Sequence, residues 1–266
     1  MRKYWQVMKN TWEDYFMYRL SFVLWRLRNF LVFFLSVYFF WSALFQNHRQ
    51  LFGYTRQEMM TYLVLTAFLR SLVLGSRSNR LAGQIRKGDL TATLLKPVSV
   101  RGFWLASDLA DKLLNLLFSA IEVGFAVFLL QLTISLPEHL STYLWTALFA
   151  VLGLFTYFFF SFTISVLAFW TQEVWATRFL LEFVFLQLLS GALFPLDAFP
   201  EIVRKVAVLT PFPYLIFFPA RIWLEQVSLS EIGWGATTAI LWLVTLMGVS
   251  HYLWRRGLKD YSSFGG

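Results

Sequence analysis

Long apolar blocks alternate along this chain with short clusters of charge. The blocks run about 20 residues, enough for a helix to cross roughly 30 Å of hydrocarbon. Those at about 24–46, 58–76, 104–132, 143–170, 177–196 and 232–254 predict six transmembrane helices, the first holding FLVFFLSVYFFWSALF without a charge. Ahead of it, residues 4–16 gather Tyr4, Trp5, Met8, Trp12, Tyr15 and Phe16 on about a third of a helical wheel, with Lys3, Gln6, Lys9, Glu13 and Asp14 on the remainder. That pattern predicts an amphipathic helix over residues 1–20 lying in the membrane interface. Between the fifth and sixth blocks, LFPLDAFPEIVRKVAVLTPFPYLIFFPARIWL holds five of the chain's seven prolines. Each proline removes a backbone donor and breaks the helix behind it, so the segment cannot be one span. It predicts short re-entrant helices at the outer face over 194–223, one of them EIVRKVAVL with Pro200 at its start.

Composition agrees with this pattern. Of 266 residues, 58% are hydrophobic, 20% aromatic and only 14% charged, more apolar surface than a soluble domain of this length can bury. The predicted fold is therefore an all-α membrane protein, a single transmembrane domain over 1–266 with no internal repeat. The chain has no cysteine, which excludes disulfides, thiolate metal sites and a cysteine nucleophile. The start, MRKYWQVMKNTWEDYF, lacks the uniform apolar run of a signal peptide, so the N-terminus is expected to be retained. The net charge of +8 matters through its placement. With the N-terminus inside, sixteen Lys and Arg flank the spans on the cytoplasmic side, and five (Arg49, Arg56, Arg204, Lys205, Arg221) lie outside. The positive-inside rule then puts both termini in the cytoplasm and makes nucleic acid an unneeded partner.

The loop over 77–101 contains GQIRKGDLTATLLKPVS, whose Gly-x-x-x-x-Gly begins like a phosphate-binding loop. Asp89 and Leu90 stand where that loop needs Lys and Ser or Thr, so nothing there reaches terminal phosphates or magnesium. The segment reads instead as two short helices, SNRLAGQIRK and LTATLLK, hinged at Gly88. Asp89 is expected to N-cap the second, Leu90, Leu94 and Leu95 to form an apolar ridge, and Pro97 to end it. Such a pair predicts a docking knob for a cytoplasmic partner, with Gln84, Arg86, Lys87, Asp89, Leu90 and Leu94 as its contacts.

Together, the N-terminal helix, IRKGDLTATLLKPVS, GALFPLDAFP with the short helices after it, and the ending WRRGLKDYSSFGG resemble a permease subunit of the ABC-2 class of ATP-binding-cassette transporters. In detail the chain is similar to bacterial six-span permeases that are often encoded in pairs beside one ATPase. The resemblance implies two permeases, identical or homologous, facing each other in the bacterial plasma membrane, each resting on an ATPase subunit that binds the ATP and magnesium. It implies that Gly83 to Pro97 is the coupling helix, Tyr4 to Arg19 the cytoplasmic interface helix and Phe194 to Trp223 the extracellular re-entrant gate. Neither an ATPase nor a large extracellular domain is expected within the chain.

Candidate chemistry is sparse. No HExxH, GxSxG or GxGxxG is present, and His48, His139 and His251 fall far apart near span ends, so no catalytic residue, metal ligand or cofactor is assigned to this chain. Ionisable residues inside spans are costly and usually face protein or a wet cavity. Arg70, Glu122 and Glu182 are the candidates for a substrate pathway, with Arg70 and Glu182 at equal depth and expected to pair. Asp108, Asp111 and Lys112 read as a solvated helix end at the entry of span three. The leading function is ATP-driven export of an amphipathic, lipid-like or drug-like substrate by alternating access, with membrane lipids as neighbours. A proton-coupled secondary transporter is the first alternative and a lipid-modifying membrane enzyme the second.

Overall fold

The computed structural model describes residues 2–261, so the SSFGG end of the tail motif lies outside the described residues. Helix α1 (Arg2–Met17) gives way at Tyr18 to α2 (Arg19–Leu44). A two-stranded hairpin follows, β1 (Gln50–Leu51) and β2 (Tyr54–Thr55), turning on Phe52 and Gly53 at φ 55 and 88°. Two successive left-handed residues are the signature of a tight hairpin turn. With strands of two residues, no alternation was available to reveal it in the sequence. Thr55 closes the hairpin and opens α3 (Arg56–Val73) through a capping box: its hydroxyl accepts from Glu58 N, and its own N–H donates to Glu58 Oε2 at 2.7 Å.

Beyond α3 lie the short helices α4 (Asn79–Lys87) and α5 (Leu90–Leu94), then α6 (Val100–Leu129) and α7 (Leu140–Val166). The fifth apolar block is an interrupted helix, in which α8 (Val174–Arg178) runs into a π segment (Phe179–Phe185) and ends as α9 (Leu186–Leu189). The proline-rich segment resolves, as its prolines require, into a 3-10 turn at Leu196–Ala198, α10 (Glu201–Ala207), a second 3-10 turn at Phe212–Leu215 and α11 (Phe217–Trp223). The described chain ends in α12 (Leu229–Asp260).

Among the described residues four helices are long and apolar enough to cross a membrane: α2, α6, α7 with the turn that continues it to Phe169, and α12. Of these α7 is the central post, more than half buried, with α3, α4, α11 and α12 packed around it. Helix α3 has 18 residues, many of them buried, among them Met59, Tyr62, Leu65, Leu69 and Val73, so it packs within the bundle. Four apolar clusters form among the described residues, two of them large. One joins α3, α7, α9 and α11 through Met59, Tyr62, Leu186, Leu215, Ile216 and Phe217; the other joins α4, α5, α6, α7 and α12 through Leu81, Leu90, Trp104, Phe158, Phe162 and Trp254. Because α7 runs from one core to the other, with Ala150 and Tyr157 in the first and Phe158 and Phe162 in the second, the molecule has a hairpin end (β1, β2, α10, α11) and a knob end (α1, α4, α5).

Candidate functional site in the knob and the buried charges

The knob keeps its predicted hinge. Gly88 ends α4 in the left-handed conformation at φ 79°, a backbone state glycine adopts without steric cost. Tyr261, the last described residue, donates its hydroxyl to the Gly88 carbonyl at 2.7 Å, pinning the hinge to the far end of α12. Other expectations change. Asp89 stays in the helical region and its side chain makes no capping hydrogen bond, so α4 and α5 join as a tight turn with no capped break. Leu90 is fully buried in the core with Trp104 and Phe158, and it anchors the knob from inside. The exposed apolar tip is Leu94 and Leu95, the latter 82% exposed, flanked by exposed Arg86, Lys87 and Asp89. Gln84 turns inward and accepts from the Thr93 hydroxyl at 3.3 Å, while Arg86 donates to the Gln172 carbonyl at 3.1 Å.

The expected Arg70–Glu182 pair does not form. Arg70 donates to the Gln187 side chain and stacks on Phe33, 4.1 Å from its ring centroid. Glu182, carried on the π segment, pairs one helical turn back with Arg178 at 3.0 Å. Equal depth in the membrane says nothing about azimuth around a helix, and the wide π turns rotate Glu182 toward α7 and α4. Arg178 is the centre of this cluster, donating also to Ser165 Oγ at 2.7 Å and to Asn79 Oδ1 at the start of α4. The interrupted fifth block is thereby tied to the knob.

Glu122 finds its partner on another helix, far away in sequence. Arg26 on α2 grips it with two parallel bonds, Nε to Oε1 at 2.9 Å and Nη2 to Oε2 at 2.7 Å, the Arg26 side chain buried and that of Glu122 half-buried. The same guanidinium donates to Asn115, and Asn115 Nδ2 donates to Asp111 at 2.9 Å. Asp111 also accepts the hydroxyl of Tyr15 on α1, whose phenol is raised above its ordinary range by burial and by that carboxylate. One polar chain thus links α1, α6 and α2.

Asp108 and Lys112, expected to be solvated, are almost wholly buried. Lys112 Nζ donates to the Leu74 and Gly75 carbonyls at 2.7 and 2.5 Å, and Asp108 accepts from Arg77 N at 2.7 Å. They satisfy the backbone groups freed where α3 ends, which a helix terminus in an apolar setting requires. The i, i+4 spacings of Arg178 with Glu182 and of Asp111 with Asn115 were the legible signals among these contacts. Arg26 and Lys112 carried none, because their partners lie 96 and about 38 positions away in sequence.

Helix α1 lies along α6, with Trp12 Nε1 donating to the Ala110 carbonyl at 2.8 Å and Lys3 to the Pro97 carbonyl at 2.9 Å. Of its aromatic stripe, Trp5 and Phe16 remain exposed, while Tyr4, Met8, Trp12 and Tyr15 are half-buried. Among the described residues no group of acids and histidines is placed to hold a metal ion. The exposed knob is joined to the helices behind it by the Arg178–Asn79 and Tyr261–Gly88 hydrogen bonds.

The family model described as ABC-2 family transporter protein matches residues 31–265, nearly the whole chain. No curated protein matches it.

Proposed function

Because the chain belongs to the ABC-2 family of transporter proteins, the membrane component of ATP-binding-cassette systems and not itself their catalyst, we propose that it is the permease half of an exporter driven by a separate ATPase. Its cargo class is amphipathic or lipid-like. The observation that carries the reading is the α4–α5 knob, whose Leu94–Leu95 tip is exposed while its base is fastened to α7, α8 and α12. A groove on the ATPase receives the tip, in the manner of a short helix seating apolar anchors. Closure of the ATPase pair then displaces α4. Asn79 passes that displacement to Arg178 and the π segment, and Gly88 passes it to α12 through Tyr261. Six crossings with cytoplasmic termini follow if α3 and the α8–α9 segment complete the bundle against a second permease, whose packing accommodates their shorter and more polar lengths. Arg70, Glu122 and Glu182 then lie on the inner side of the cleft, with Glu122 and Glu182 holding helices in register and Arg70 closest to cargo.

Exchanging Leu94 and Leu95 together for Asp tests this assignment. The double variant is expected to fold with unchanged melting temperature, yet to lose co-purification of the ATPase or to leave ATP hydrolysis unstimulated by cargo. Retained ATPase binding and transport would remove the knob from the mechanism. Leu90→Asp makes the contrast, since it places a charge in the core and should fail at folding.

A further inference from the structure

Between α1, α4 and the start of α6 lies a cleft of about 570 Å³, within the range that holds small-molecule ligands. Arg77, Arg80, Lys87 and Lys96 line it against two acids, Asp14 and Asp89, a net of two positive charges from four minus two. Arg77 is the unusual member. Its side chain is 9% exposed and lies over the Tyr15 ring at 4.9 Å, its only ionic contact is Asp14 at 3.6 Å, and its Nη1 has no hydrogen-bond partner. Trp104, which also lines the cleft, has a buried Nε1 likewise without a partner. Leaving two buried donors unsatisfied costs stability unless an acceptor serves them.

We propose that this cleft binds the phosphate headgroup of an acidic phospholipid. The charge calls for an anion, and the unpartnered donors call for one rich in acceptor oxygens. The position favours a lipid source over a soluble one. One wall is the helix α1, whose exposed Trp5, Phe16 and Met17 suit the boundary between headgroups and acyl chains. Apolar Val7 and Phe103 also line the cleft, and Lys96 Nζ sits 4.5 Å from the Phe103 ring centroid, so an ammonium and a greasy surface adjoin as headgroup and glycerol do. A bound lipid bridges α1 to α4 and so sets where the knob stands. The site belongs to this chain alone and does not depend on the ATPase assignment.

The test titrates the purified full-length protein, in neutral detergent, with short-chain phosphatidylglycerol, phosphatidylcholine or inorganic phosphate, reading the melting temperature. Phosphatidylglycerol is expected to raise it saturably, and phosphatidylcholine is not. Arg80→Gln with Lys96→Gln, both exposed, should shift the midpoint roughly thirtyfold, about fivefold per lost charge. Gly83→Leu removes no charge but projects into the cleft, where an added Cβ meets nothing within 4 Å, and should abolish the response. Arg255→Gln with Arg256→Gln, at the same end of the molecule but outside the cleft, should leave it intact. Equal loss in that control, a full response in Gly83→Leu, or an equal rise with inorganic phosphate would each overturn the proposal.

Discussion

The two ends of the molecule hold their helices together by different chemistry. At the knob end the cement is ionised: Arg26 with Glu122, Arg178 with Glu182, Lys112 on the carbonyls that end α3. At the hairpin end it is chiefly neutral and built on backbone, since the ion pairs there are long (Arg221–Asp197, 4.0 Å) or exposed (Lys205–Glu201). Tyr62 donates to the Gly191 carbonyl at 2.5 Å, Phe217 N donates to the Ser190 carbonyl at 2.9 Å, and Trp223 donates to the Ser135 carbonyl at 3.1 Å. Even Tyr54, which donates to Asp197 at 2.7 Å, does so as a neutral phenol, because burial and the neighbouring carboxylate push its hydroxyl well above the ordinary tyrosine range. Prolines and short turns fix the outer shape, leaving few alternative arrangements. Buried charge clusters have strong but re-pairable contacts, so the ionic end is the one suited to switch and the backbone-bonded end the one suited to stay.

If that contrast holds, the largest losses come from halving an ion pair. Glu122→Leu strands a buried guanidinium and should cost about 3–5 kcal/mol, whereas Arg26→Leu with Glu122→Leu should cost clearly less than the two singles added. Reversible unfolding in mixed micelles measures both; additive losses would show that the pair is not a unit. A step smaller is Gly191→Ala at the hairpin end. Gly191 sits at φ 77°, and an added Cβ would meet Phe217 Cβ at 2.6 Å and the Tyr62 hydroxyl at 2.7 Å. Backbone strain alone gives about 1–3 kcal/mol, with the clash adding to it, read as a lowered melting temperature. Tyr62→Phe removes one buried hydrogen bond and orphans a carbonyl, for about 1–2 kcal/mol, and transport should survive it if this end is a static frame. Val206→Cys should change stability least, since Val206 is 56% exposed on α10. In this cysteine-free chain the new thiol is expected to react with an impermeant reagent added from outside cells; labelling only from the cytoplasm would invert the assignment of the two ends.

Much of this architecture was legible in the chain. Block lengths, proline positions and the aromatic stripe of residues 4–16 placed the long helices, the broken proline-rich segment and the N-terminal helix. Each of those signals is local, set by what one segment needs to satisfy its own backbone in an apolar solvent. The Gly88 hinge was legible for the same reason. The knob's exposed face was read only in part, because a five-residue helix has too few positions to show which leucine faces the core: Leu90 went in, Leu94 and Leu95 out.

What the sequence by itself determined is therefore a helical membrane protein of the ABC-2 kind, with its breaks and its charged loop in the right places. Only the tertiary structure decided who partners whom. Arg26 finds Glu122 across 96 residues, Arg70 turns to Gln187 away from Glu182, and Lys112 reaches the end of α3. The physical reason is that a buried charge is governed by distance and direction in space, and helix rotation supplies both. A π segment that turns one face of the fifth block by a few tens of degrees is enough to exchange one partner for another, and hydropathy along the chain carries no record of that turn.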